Sequence, residues 1–223
     1  MAPQPQLTSA DGKRFSVYRA EPGGVPRGAI IVVQEIFGVN HHIRAVADGF
    51  ARIGYLALAP ALFDRIRPGV ELGYDAAGIA EGRPFVGHLG WDAPIADIEA
   101  TVAAAKTAGR VAVVGYCWGG SLAFLSAVKV DGIACAVGYY GGQIAARLDR
   151  PPRVPLMLHF GEQDASIPLA DVEKIRRAAP AATVFTYPGA GHGFSCDERQ
   201  SYEASSAALA RERTLAFVRE HVG

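Results

Sequence analysis

"VVGYCWGGSLAF", residues 113–124, carries an apolar strand end into a Gly115-x-Cys117-x-Gly119 turn and then into a helical stretch. Such a strand-to-helix turn forces strained backbone angles on its central residue. Side chains two positions to either side would collide with the neighbouring strand and helix, and glycines remove them. The thiol of Cys117 then stands above the end of a sheet, at the N-terminus of the helix beginning near Trp118, whose amides and dipole face it. Taken alone the motif is also compatible with a small buried cysteine filling a tight turn. The rest of the chain decides between the two.

Working outward, "AIIVV" (29–33) is a continuous β-branched run, as expected of a central strand covered on both faces. A helix follows from Asn40, its N-cap, to Ile53, with Gly54 as the stop. "KRFSVYRAEP" (13–22) alternates as an antiparallel edge strand, and "YLALAP" (55–60) is a short buried strand. Asp92 can cap a helix closed by Gly109, and "RVAVVG" (110–115) is the strand that delivers Cys117. Further strands are "IACAVGYYG", "VPLMLHFG" and "ATVFTYP", with the helix "LADVEKIRRAA" between the last two and a C-terminal helix from about Glu198. Strands alternating with helices predict an α/β fold with a doubly wound, mostly parallel sheet flanked by helices. Residues 61–91, rich in Gly and Pro, read as an excursion over the sheet and a candidate lid, with a short helix in "GYDAAGIAEGR".

The 223 residues balance 22 basic against 22 acidic side chains, intermixed, which points away from a nucleic-acid footprint. One domain spanning 1–223 is expected, with residues 1–13 as a poorly ordered leader. The start "MAPQPQLTSADGKRF" has no signal-peptide pattern and no apolar run approaches a membrane span, so a cytoplasmic protein without membrane partner is expected. The three cysteines, Cys117, Cys135 and Cys196, match neither a zinc pattern nor a disulfide scaffold. No metal and no cofactor is implied; His41 and His42 lack a third ligand nearby in sequence. His159 reads as an interior histidine, and Ser121 as lying along the helix rather than replacing the nucleophile.

In open α/β sheets, sites gather at the carboxyl ends of strands. There the chain places Glu35-Ile36-Phe37-Gly38, then Cys117 in its turn, then Asp164 in "GEQDASIP", then His192 in "GAGHGF". Cys, Asp and His on three separate loops follow the nucleophile, acid and histidine order of the α/β-hydrolase fold, with cysteine as nucleophile.

"QEIFGVN", "VGYCWGG", "GEQDASIP" and "GAGHGF" together resemble the dienelactone hydrolase (carboxymethylenebutenolidase) family, a likeness running from about Gly28 to the C-terminal "SSAALARERTLAF". The resemblance implies an α/β-hydrolase that cleaves ester or lactone bonds without a cofactor, using Cys117, Asp164 and His192. It implies that Glu35 interacts with the resting thiol and helps generate the thiolate. The backbone N–H groups of Ile36 and Trp118 would form the oxyanion hole.

In that family two arginines grip a substrate carboxylate. Arg83 matches one of them loosely. Cys196 stands at the other's place, four residues past His192, and the nearest arginine is Arg199. Cys196 is therefore expected at the rim of the site, and Arg83, Phe37, Cys196 and Arg199 are the candidate substrate contacts. The expected partner is a small ester or lactone, and the expected state a monomer or weak homodimer. Two alternatives stay open: a promiscuous carboxylesterase or thioesterase without dienelactone activity, and a thiol redox sensor on the same fold.

Overall fold

The computed structural model describes residues 5–223. Eight strands form one sheet: β1 (Gln6–Thr8), β2 (Arg14–Ala20), β3 (Ala29–Val33), β4 (Leu56–Pro60), β5 (Val111–Tyr116), β6 (Cys135–Tyr139), β7 (Leu156–Gly161) and β8 (Thr183–Tyr187). Their order is β1-β2-β4-β3-β5-β6-β7-β8, antiparallel in the first two pairings and parallel in the remainder. The helices are α1 (His41–Ala51), α2 (Ala76–Leu89), α3 (Asp92–Ala105), α4 (Trp118–Lys129), α5 (Leu169–Ala178) and α6 (Ala204–His221). Every residue of β3, β4, β5, β6 and β7 is buried, which is why these strands read as unbroken apolar runs. The Asn40 side chain caps α1 by accepting from the N–H of Ile43, as its position before the helix predicts.

Four elements differ from the sequence reading. The expected leader contains β1, which pairs with β2 and takes the edge position expected of β2. Residues 1–4 lie outside the described residues. The leader is anchored by Arg65, whose guanidinium meets Asp11 and Ser9 and also grips the buried carboxylate of Asp97 on α3 at 2.7 and 2.8 Å. α2 is a full 14-residue helix rather than a short one. Its glycines allow the packing: a methyl on Gly78 would stand 2.0 Å from the carbonyl of Gly73, and one on Gly82 would stand 2.0 Å from that of Ile36. Asp92 is the first residue of α3 rather than its cap, which is Trp91. α6 starts at Ala204, because Glu203 caps it by accepting from the N–H groups of Ser205 and Ser206.

Among the described residues no helix is long and apolar enough to cross a membrane.

Candidate active site

The central strands β3 and β5 run side by side, pairing Val33 with Gly115, so the Glu35 loop and the Cys117 turn emerge together. The turn has the geometry its glycines require. Cys117 adopts φ 54° and ψ −116°, a conformation L-residues rarely take. A methyl on Gly115 would lie 1.9 Å from the carbonyl of Gly119. One on Gly119 would lie 2.4 Å from the carbonyls of Val33 and Gln34. Cys117 is thus held half-buried at the N-terminus of α4.

Three loops converge on it. Nε2 of His192 stands 3.1 Å from Sγ of Cys117, and Nδ1 stands 2.7 Å from Oδ2 of Asp164. Asp164 is buried, and the backbone N–H of Ser166 donates to its other oxygen at 2.8 Å. Ser201 holds the His192 segment by donating to that residue's carbonyl at 2.6 Å. Burial works against the His192 imidazolium, but the Cys117 sulfur and the Asp164 carboxylate outweigh it and raise its pKa to about 10. The three side chains can pass a proton from sulfur to imidazole and hold the resulting charge beside a carboxylate. Among the described residues, the backbone N–H groups of Ile36 and Trp118 donate to no backbone or side-chain acceptor.

Glu35 is fully buried, and neither of its oxygens makes a hydrogen bond among the described residues. The charged group beside it is Arg199, 3.7 Å away; the thiol of Cys117 points to His192 instead. Arg199 is itself mostly buried, with its guanidinium 5.1 Å from the Phe37 ring centre and 5.0 Å from that of Tyr74. It also lines an open groove of about 680 Å³ with Tyr74, Asp75, Ile79 and Ser201. Arg199, the candidate seven residues past His192, is thus the arginine that stands beside Glu35. The successive turns Cys196 N–H to Gly193 and Arg199 N–H to Cys196 fold it back toward Glu35.

Three expected contacts sit elsewhere. Cys196 is fully buried instead of lying at a rim; burial and then Glu35 push its thiol up to about 12. Phe37 is fully buried beneath Arg199 and Tyr74, so it supports the arginine. Arg83 is exposed on α2, because it is the neighbouring Gly82 that faces Ile36. The histidine pair also has more neighbours than the sequence suggested: His42, Cys196 and Asp197 bring three donor atoms within 4.8 Å of one another. Nδ1 of His42 is engaged there with Asp197 at 3.2 Å.

Other readings hold. His159 is buried between Tyr187 at 2.7 Å and Thr214 at 3.1 Å, and burial lowers its pKa to about 3. Ser121 is buried in α4 and accepts from the N–H of Gln143. Tyr74 and Tyr140 belong to the site without standing out in the sequence pattern. Tyr140, in the left-handed region at φ 38°, packs its ring 5.2 Å from that of His192 and hydrogen-bonds Ser195. Its signal was a place in "GYYGG" just past β6, at the same carboxyl edge as the other loops.

The sequence pattern of the dienelactone hydrolase family matches residues 15–222. A Synechocystis protein provisionally named carboxymethylenebutenolidase is 39% identical, covering 88% of this chain and 87% of its own. The carboxymethylenebutenolidase of Pseudomonas putida is 36% identical, covering 95% and 94%. The crystal structure of a provisionally named dienelactone hydrolase of Klebsiella pneumoniae superposes with a TM-score of 0.81 at 32% identity, covering 94% of this chain and 95% of that one.

Proposed function

The chain belongs to the dienelactone hydrolase family and is a hydrolase of ester bonds, and from that premise we propose that Cys117 is its nucleophile and a thioester its intermediate. The observation that carries this reading is the hydrogen-bonded line from Cys117 through His192 to Asp164.

In this mechanism the Cys117 proton already rests on His192, and the thiolate attacks the ester or lactone carbonyl. The oxyanion is received by the N–H groups of Ile36 and Trp118, donors that no acceptor among the described residues occupies. His192, its charge supported by Asp164, protonates the departing oxygen as the C–O bond breaks. It then takes a proton from the water that hydrolyses the thioester, and the thiolate leaves. Cysteine as nucleophile shapes the substrate class. From the tetrahedral intermediate a thiolate departs more readily than an ordinary alkoxide, so simple alkyl esters revert. An enol lactone or aryl ester releases a stabilised oxyanion and goes forward.

Arg199 supports a carboxylate on the substrate: it borders the groove and already faces an acid, Glu35. Such substrates fit the Pseudomonas putida relative, whose name denotes a lactone bearing a carboxymethylene group. The redox-sensor alternative has less support, since Cys196, its second thiol, is buried and its pKa pushed up.

Activity of the Cys117→Ala protein on an activated aryl ester tests the reading. Loss of turnover to the uncatalysed rate, with the fold intact by circular dichroism, is expected. Retained turnover removes Cys117 from the mechanism.

A further inference from the structure

Two consecutive histidines meet two consecutive acids across the site. Nδ1 of His41 lies 2.6 Å from Oε1 of Glu198, and Nδ1 of His42 lies 3.2 Å from Oδ1 of Asp197. The histidines occupy the first turn of α1, which follows Glu35 after a short loop. That loop is stiff: the Asn40 side chain donates to the carbonyl of Leu72, the N–H of Leu72 donates to the carbonyl of Phe37, and Gly38 bridges to Glu71. The acids lie in the turns between His192 and α6, and Arg199 is the residue immediately after them. Backbone turns shape this segment from within, and the two side-chain pairs tie it to α1.

The two pairs differ in quality. His41 is 81% exposed, so its contact with Glu198 is a solvated surface pair of little energetic value. The His42 side chain is only 6% exposed and wedged against Tyr74 and Tyr116. Its other ring nitrogen, Nε2, is buried without a partner among the described residues. Nδ1–H to Asp197 is thus the hydrogen bond this imidazole makes, from a ring that cannot swing away.

We propose that the His42–Asp197 pair is a latch that positions Arg199. It ties the segment carrying the guanidinium to the loop and helix that carry Glu35. The guanidinium is thereby held between Glu35 and the groove, where it can receive a substrate carboxylate. His42 and Asp197 act through Arg199 and touch no substrate. The latch therefore governs the preference for anionic over neutral esters rather than the chemical step. This inference rests on the reading of Arg199 as the anion-binding group.

The test uses the full-length chain and two aryl esters of similar acyl length, 4-nitrophenyl butyrate and the mono-4-nitrophenyl ester of succinate. Because the Asp197 side chain is 72% exposed, Asp197→Ala removes the latch without opening the core. The expected result is a rise of about 5- to 10-fold in KM for the succinate ester, as for loss of one hydrogen bond's worth of positioning, with kcat changed less than about twofold. The constants for butyrate should show no matching rise. Asp197→Asn, whose amide oxygen still accepts from Nδ1 of His42, should restore the succinate KM. Equal effects of Asp197→Ala on both esters, or no effect on either, overturn the latch. Arg199→Ala separates the two layers of the argument. If it leaves the succinate-to-butyrate ratio unchanged, the anion-binding reading fails; if it lowers that ratio while Asp197→Ala does not, the latch alone fails.

Discussion

Nε2 of His192 stands 3.1 Å from Sγ of Cys117, while the opposite edge of the same ring rests on the buried carboxylate of Asp164. A ring between two acceptors of negative charge favours its protonated form. The pKa of His192 is accordingly raised from the ordinary histidine value to about 10, although burial opposes this. The ring's protonation therefore depends on the sulfur. NMR titration of His192 should show an imidazolium persisting above pH 8 in the wild-type protein and a clearly lower pKa in Cys117→Ala. An unchanged titration would mean that Asp164 alone sets it.

The same shift has a consequence for stability. The folded state binds the His192 proton more tightly than the unfolded chain, whose histidine titrates near 6.5. The contribution is fully present below that value and is lost as the pH rises toward 10. Urea unfolding between pH 6.5 and 10 should show a decline in stability from this source, smaller in Cys117→Ala.

His159 acts in the opposite sense. Burial, then Arg213, lower its pKa to about 3, so the folded protein keeps it neutral while the unfolded chain takes up a proton below about 6.5. Stability should fall by up to about 1.4 kcal/mol per pH unit between these limits from this residue. Chemical denaturation at pH 7 and pH 5, with the His159 resonances followed in parallel, checks it: the ring should remain neutral in the folded protein at pH 5.

Gly119→Ala should disrupt the turn itself. Its methyl would sit 2.4 Å from two backbone oxygens of the Glu35 strand, atoms that cannot move aside without shifting β3. A cost of more than about 3 kcal/mol is expected, because the overlap is with backbone and no rotamer relieves it. Thermal unfolding reads the cost, and aryl-ester hydrolysis should fall with it.

The ion pair between Arg65 and Asp97 offers a contrast within one cluster. Both side chains are almost fully buried, whereas Asp11, which also meets Arg65, is half exposed. Asp97→Ala leaves the arginine without its buried partner and should cost about 3–5 kcal/mol. Asp11→Ala, which removes only a solvated partner, should cost far less. Denaturant titration of both variants measures the difference.

Much of this architecture was legible from the sequence because the central strands are buried on both faces and end in loops with distinctive chemistry. Val111–Tyr116 followed by Cys117, and Leu156–Gly161 followed by Asp164, announce both the sheet and the carboxyl edge where the loops meet. What escaped depends on partners distant in the chain. Gln6–Thr8 is a strand too short to carry a pattern, and its neighbour Asp11 is fixed by Arg65. α2 was obscured by glycines that lower helix propensity but permit its contact with the Ile36 carbonyl. Arg199 is legible as a candidate contact from its residue type, but its place beside Glu35 depends on the turns that bring it back, and the burial of Cys196 arises only when Tyr74 and the Glu35 loop pack around it.

A thioester on Cys117 is detected by acid-quenching the enzyme during turnover of an aryl ester and weighing the intact protein and its peptides. Replacing His192 by Ala, in protein reacted at a pH high enough to ionise the thiol, should slow deacylation and raise the trapped fraction. One acyl group on the peptide containing Cys117, absent from Cys117→Ala, is the predicted result. Turnover with no acylation of that cysteine, or acylation at another residue that persists in Cys117→Ala, would rule out Cys117 as the nucleophile.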